Sequence, residues 1–447
     1  MVAGWRKSRS HPEKSRARSN WPTQGSTLQF EEPSSAPRIF LVAPFYVHSR
    51  SSLTVVLARI ASLLLLLLAA SLPLPANAHD PSAWGGLFRS RDFGANWFPA
   101  DAGLFIGGAL GVAVHPRDPA QLLYGTDARL LRSNNGGRDW STEAAATMSG
   151  AVFAVAFDAD GKGALASSGT RIFYSDGGRD WHDTLAPGGA APARAFVHSL
   201  ALPNRVYLAG ARGLFLSDDR GRSWARAGEG ALPESPAIAL AVLPGSPENV
   251  YALVDGTLWV SADGARSWTT RTSGLPAGHV EALAQDLKKA TRLWAVASAQ
   301  VFVSDDAGAT WTAYGKALPD PGISVRGIAV SEDAKTLVLA THRGVMRSSD
   351  RADSWVQVES TLPVHLESGL LLRDPHDSPT LYAGFSLTPY SEMWRRAEQG
   401  GSLLAQLDPI SLAGGLAFLV TLLVVGVLAT RWLLRRHRDT GTAPRLR

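Results

Sequence analysis

Seven tryptophans, at positions 97, 140, 181, 224, 268, 311 and 355, divide the middle of this chain at intervals of 43, 41, 43, 44, 43 and 44 residues. A period that regular means one structural unit copied seven times. Each tryptophan ends the same short pattern, Ser-x-Asp-x-Gly-x-x-Trp. The pattern is complete at Ser90, Asp92, Gly94 and Trp97, at Ser217, Asp219, Gly221 and Trp224, and at Ser304, Asp306, Gly308 and Trp311. The other four copies are degenerate. Asn135 follows Ser133 before Trp140, one residue is missing between Ser175 and Trp181, and Ala265 and Ala352 replace the glycine in the copies that carry Asp263 with Trp268 and Asp350 with Trp355. A glycine supplies positive φ at a tight turn, an Asp or Ser side chain accepts bonds from the turn's own amides, and an indole covers the joint with apolar surface. Each copy therefore reads as a hairpin staple.

Between staples runs a second recurring pattern of strand, proline-marked turn and strand. Residues 111–125, 240–253 and 371–384 keep the same order, with a tyrosine entering the second strand. Adding the strands before and after each staple gives four strands per unit of about 43 residues, which is the size of a propeller blade. The expected fold class is all-β, a seven-bladed β-propeller with four-stranded blades. Only a third and fourth strand precede the second unit, near 86–90 and 97–100, and only a first and second follow the last, near 366–385. Strands from both ends are expected to complete the seventh blade and leave no open sheet edge. Residues 391–396 are compatible with a further strand or with the start of a linker.

The chain has a net charge of +5, but its charge is unevenly spread. Residues 1–59 hold nine Lys or Arg against three Glu, residues 431–447 hold six Arg against Asp439, and the segment 60–430 is left near −6. The basic balance belongs to the ends, which excludes nucleic-acid binding by the repeat domain. Arg50 and Arg59 precede the apolar run 60–70, and Ala76-Asn77-Ala78 follows, so 60–78 reads as a secretory signal with cleavage before His79; an uncleaved anchor is the alternative. The polar, basic extension 1–59 is too long for an ordinary leader and fits a start codon placed too far upstream. Residues 79–397 form the repeat domain and 398–408 a linker. Residues 409–430 run without a charge for long enough to cross a bilayer as a transmembrane helix, and the basic tail 431–447 then stays on the cytoplasmic side. The expectation is a single-pass inner-membrane protein with its propeller on the periplasmic side. The absence of cysteine neither supports nor opposes export.

These staples resemble the Asp-box, or bacterial neuraminidase repeat, over roughly residues 84–396, and the resemblance implies a β-propeller. Sialidases share it, but the Arg-Ile-Pro motif expected before the first box is replaced here by Trp84-Gly-Gly-Leu-Phe-Arg89. The carboxylates at the repeat position, Asp92, Asp219, Asp263, Asp306 and Asp350, read as scaffold, not as an acid and nucleophile facing across a sugar. The histidines are scattered without metal-ligand spacing, and no nucleophile elbow or phosphate loop occurs, so no catalytic, metal or cofactor site is expected. A single exported ring of seven regular units is most similar to the photosystem II stability/assembly-factor family. That resemblance implies a non-enzymatic platform that holds a protein partner, such as a membrane-protein assembly intermediate. The C-terminal span departs from that family. Sortilin-type receptors have more blades and a cysteine-rich module. The alternative is a glycan-active enzyme of the sialidase or xyloglucanase kind, a glycoside hydrolase, or a carbohydrate-binding propeller. One recurrence suggests a contact surface. Arg129, Arg171, Arg212 and Arg343 stand just before the third strand of their units, with Thr257 and Gln300 in two others, on the face opposite the staples. Together they are a candidate cationic ring for partner carboxylates.

Overall fold

A computed structural model describes residues 85–399, apart from five single positions, and a helix over 409–439 of whose side chains only a part is described. The signal sequence, the extension before it, the cleavage site and residues 400–408 of the linker lie outside the described residues. The second blade comprises β3 (Ala109–Val114), β4 (Leu122–Thr126), β5 (Leu130–Ser133) and β6 (Ser141–Glu143). The third holds β7 (Val152–Phe157), β8 (Ala164–Ser168), β9 (Arg171–Ser175) and β10 (His182–Asp183), and the fourth β11 (Ala195–His198), β12 (Val206–Gly210), β13 (Gly213–Ser217) and β14 (Ala225–Arg226). The fifth runs through β15 (Ala237–Leu243), β16 (Asn249–Val254), β17 (Thr257–Ser261) and β18 (Thr269–Thr270). The sixth is β19 (Val280–Gln285), β20 (Leu293–Ala297), β21 (Gln300–Ser304) and β22 (Thr312–Ala313), and the seventh β23 (Val325–Val330), β24 (Leu337–Thr341), β25 (Gly344–Ser348) and β26 (Val356–Gln357).

The first blade takes its strands from both ends of the domain. β27 (Glu367–Arg373) and β28 (Leu381–Ser386) pair with β1 (Gly86–Ser90) and β2 (Phe98–Pro99) in the order β2-β1-β28-β27. Five residue pairs, Gly86 with Phe385 through Ser90 with Leu381, zip the two ends of the domain together. The innermost strands β3, β7, β11, β15, β19, β23 and β27 touch in succession, and β27 returns to β3. The ring is closed, so no blade has an exposed inner edge.

The staple turns have a common geometry. Ser90 donates to Asp92 Oδ1 at 2.8 Å while Gly94 N donates back to the Ser90 hydroxyl at 2.8 Å. The same pair of bonds recurs about Ser133, Ser217, Ser261, Ser304 and Ser348. Where glycine is replaced, Ala265 and Ala352 adopt φ of 73° and 62°, the left-handed conformation that the turn requires and that a Cβ disfavours. Asp263, Asp306 and Asp350 are held well below the usual carboxylate range, first by the hydroxyls of Ser267, Thr310 and Ser354 and then by the turn amides.

The tryptophans do more than cover their own turns. Trp224 of the fourth blade shares a core cluster with Leu165 and Ile172 of the third. Trp268 joins Tyr207 and Leu214 of the fourth blade, Trp311 joins Leu253 and Val260 of the fifth, and Trp181 joins Leu123 and Leu130 of the second. Trp97 carries the pattern across the closure to Val338 and Val345 of the seventh. Trp140 and Trp355, less deeply buried, fix their indoles by donating to Ala100 O at 2.8 Å and Lys316 O at 3.1 Å. Each indole is thus a wedge driven into the preceding blade.

Two helices follow the ring, α1 (Tyr390–Glu398) and α2 (Pro409–Asp439). The segment 391–396 is therefore helical, neither strand nor linker. Residues 409–430 are helical too, but among the described residues no helix is long and apolar enough to cross a membrane.

Replacing Trp97 by Ala should cost about 3–5 kcal/mol of unfolding free energy in denaturant titrations, and Trp355→Ala distinctly less, because only the first indole is wholly enclosed. A second measurement concerns Asp101, which accepts bonds from Leu87 N at 2.8 Å and Tyr124 Oη at 3.0 Å across the seam between the first two blades. Burial pushes its carboxyl up to about 6 despite those bonds. A raised carboxyl favours the fold when protonated, so its contribution is fully present below about pH 4 and lost as pH rises through about 6. Melting curves between pH 4 and 7 should therefore show Asp101→Asn gaining on the unaltered chain as pH rises.

Candidate functional site: the capped mouth of the ring

The innermost strands share an irregularity that sequence reasoning missed. In six blades the pairing of the innermost strand with its neighbour slips by one residue near its start, leaving Leu110, Phe153, Ile238, Glu281, Arg326 and Gly369 as bulges. In the fourth blade Arg194 N donates to Ala209 O, the residue that also faces Ala195, so Arg194 occupies the equivalent place. A bulge bends its strand and re-aims the extra side chain. Seven re-aimed positions therefore ring one end of the central axis. They lie on the face carrying the turns between second and third strands, opposite the staples.

Helix α1 sits on this ring. Its Tyr390, Met393, Trp394 and Ala397 fall at helical spacing on one side, and they cluster with Leu110 and Phe153. Trp394 packs on Phe153 with ring centroids 4.3 Å apart, and the Arg194 guanidinium stacks over its indole at 4.1 Å. Tyr390 Oη donates to Ala109 O at 2.6 Å, Tyr390 N donates to Glu367 Oε2 at 3.0 Å, and Arg326 pairs with the same carboxylate oxygen at 2.7 Å while its guanidinium lies 5.3 Å from the Tyr390 ring. A Cβ on Gly369 would stand 2.4 Å from the Tyr390 ring, so only glycine at this bulge leaves room for the helix. The outward side of α1 is polar. Glu392 in its first turn pairs with Arg395 and Arg396 in its last, an order that also suits the helix dipole. Five of the seven bulge positions are covered, and Ile238 and Glu281 are not among them. A clue was present in sequence, the apolar residues 390, 393, 394 and 397 at i, i+3, i+4 and i+7.

The four candidate arginines stand around this mouth, all exposed, at equivalent turns. They do not act alike. Arg171 is neutralised by Asp183 and Arg343 by Asp320, the latter at 2.6 Å, whereas Arg129 and Arg212 have no ion-pair partner among the described residues. Two of the four candidate positions thus carry no ion pair among the described residues. Next to α1 a cavity of about 380 Å³ is lined by Asp127, Thr147, Ser149, Ser168 and Thr170 together with Arg171 and Arg396.

Carboxylates elsewhere serve the frame. Glu248 binds Leu200 N at 2.9 Å and Tyr207 Oη at 2.8 Å across the fourth and fifth blades. On the staple face, a cleft of about 460 Å³ contains Asp374 and Asp377. Asp374 caps the amides of His376 and Asp377, and Asp377 accepts from Thr380 at 2.7 Å. Among the described residues no group of His, Asp or Glu is arranged to hold a metal ion.

Gly369→Ala should dislodge Tyr390 from its seat and lower the melting temperature, while Tyr390→Phe, which loses one bond to a backbone carbonyl, should cost only about 1 kcal/mol. Near-ultraviolet circular dichroism checks the first, since the tryptophan on α1 moves with the helix.

Residues 180–369 match the model of the DUF6242 beta propeller domain. No curated protein matches the chain. Among solved structures, the extracellular domain of a hybrid two component system from B. thetaiotaomicron is 11% identical with a TM-score of 0.50, covering 63% of this chain and 37% of that one. YCF48 bound to D1 peptide is 15% identical with a TM-score of 0.47, covering 63% of this chain and 94% of that one. A GH74 enzyme from Niastella koreensis is 18% identical with a TM-score of 0.42, covering 55% of this chain and 37% of that one. Identities this low speak to the fold alone. The chain is a seven-bladed β-propeller whose residues 180–369 match the DUF6242 beta propeller domain.

Proposed function

We propose that this chain is a membrane-tethered, extracytoplasmic interaction platform, and that its partner is a protein that docks on the α1 face. One observation carries the reading: an amphipathic helix from the chain itself covers five of the seven bulge positions at the mouth of the ring. A mouth covered in this way presents a broad surface with polar and cationic groups at its rim, which suits a protein partner better than a small molecule needing a deep, enclosing pocket. Arg129 and Arg212 are the rim residues with charge to offer a partner's carboxylates. The tether is α2. Its Val420, Leu422, Leu423, Val424, Val425, Val427 and Leu428 are exposed to solvent, an arrangement that favours burial in lipid. The arginines after it support a cytoplasmic C-terminus.

A second reading, a carbohydrate-binding propeller, is favoured by the hydroxyl-lined cavity beside α1. The two are separated by crosslinking in intact membranes followed by identification of captured proteins. A defined protein set is expected from the unaltered chain, and reversing Arg129 and Arg212 together to Glu should reduce its yield at least tenfold. Undiminished capture by the double variant, or recovery of glycans only, refutes the platform. In the same membranes the chain should resist alkaline carbonate extraction, and a version ending at Glu398 should not.

A further inference from the structure

Arg194 is the bulge residue whose charge is least accounted for. Its side chain is half-buried, and the desolvation draws its pKa down to about 10, with the neighbouring Arg326 adding to the effect. Arg326 has Glu367 as a partner. Arg194 has the face of Trp394 and the more distant field of Glu398, and among the described residues no carboxylate forms an ion pair with it. A stacked indole compensates a buried cation only in part, and it occupies the flat face of the guanidinium while leaving the edge, where the N–H donors point, unused. Burying an unpaired charge is costly enough that its presence calls for an explanation.

The position of Arg194 supplies one. It lies where the coverage by α1 ends, and the next bulge around the ring is Ile238, which is 37% exposed. Beyond it Glu281 directs its carboxylate to Val325 N. The open arc of the mouth therefore begins with an unpaired cation, continues with an exposed aliphatic side chain and ends with an acid engaged by backbone.

We propose that Arg194 is an anion receptor at the mouth of the ring, and that it takes a single carboxylate on a peptide segment of the partner, with an apolar neighbour seated on Ile238. The proposal rests on the platform reading and names the chemistry of its partner. A carboxylate matches the guanidinium edge in two parallel bonds. Glu281 stands at the far end of the open arc and Glu398 at the end of α1, so a run of acids meets like charge and is selected against.

The test uses the full chain in detergent micelles and fluorescently labelled, end-capped octapeptides of Leu and Ser. One peptide carries a single Glu, a second has Gln in its place, and a third carries six Glu. Fluorescence anisotropy should give the single-Glu peptide at least tenfold tighter binding than either of the others. Arg194→Gln should abolish that preference and Arg194→Lys should retain part of it, with the melting temperature of each variant reporting whether the ring and α1 remain in place. Equal binding of the Glu and Gln peptides to the unaltered chain, or a preference that survives in Arg194→Gln, overturns the proposal. So does competition by glucuronate as effective as the single-Glu peptide, which would assign the site to a sugar acid. Capture of a protein partner in membranes together with no Glu preference would sink this assignment and leave the platform standing.

Discussion

The structure depends on seven indoles that join each blade to the one before it. Around Ser90, Ser133, Ser217, Ser261, Ser304 and Ser348 the turn is held by the serine, a carboxylate or carboxamide and backbone amides, and the tryptophan that closes it packs against the sheet before. Apolar burial between blades is the main attraction holding such sheets side by side, since successive blades exchange few backbone bonds. A single blade with an apolar face on both sides has no stable existence alone. Seven of them, each wedged by the next, bury those faces only if the circle closes, and the shared first blade closes it.

Much of this was legible in the chain. The period, the four strands per unit, the split blade and the covered joint all follow from short-range patterns, because turn chemistry and strand alternation are written within a dozen residues. That each indole wedges into the preceding blade was not legible, since the pattern around Trp224 says nothing of Leu165 or Ile172, 59 and 52 residues earlier. The bulges left no trace either. Leu110, Phe153, Arg194, Ile238, Glu281, Arg326 and Gly369 have no side-chain property in common, because a bulge is set by how two strands meet and not by what the extra residue is. The pairing of two of the four candidate arginines was hidden for a similar reason. Arg171 and Arg343 look alike in sequence to Arg129 and Arg212, yet Asp183 and Asp320, from other parts of the blade or its connection, neutralise only the first pair.

The proposed function rests on the asymmetry between the two faces. On the staple face, Asp92, Asp219, Asp263, Asp306, Asp350 and Asp374 cap turns and Glu248 bridges two blades. On the other face, the bulges turn six side chains and a glycine toward one mouth, and a nine-residue helix covers most of them. A glycine at one bulge and a tyrosine hydroxyl reaching the first strand of the second blade fix that helix to both sides of the closure. The helix therefore does two things at once: it tightens the seam where the ends of the ring meet, and it converts a channel opening into a surface with one uncovered arc.

The claim on which everything else stands is that the composite first blade and its helix make the ring one cooperative unit. Amide hydrogen exchange of the full chain, read peptide by peptide under native conditions, tests it most directly. The account predicts that residues 86–90, 367–373 and 381–386 exchange as slowly as the corresponding strands of the fifth blade, and that the amides of 390–398 are protected with them. Fast, independent exchange of the first blade, with the other six still protected, would contradict it.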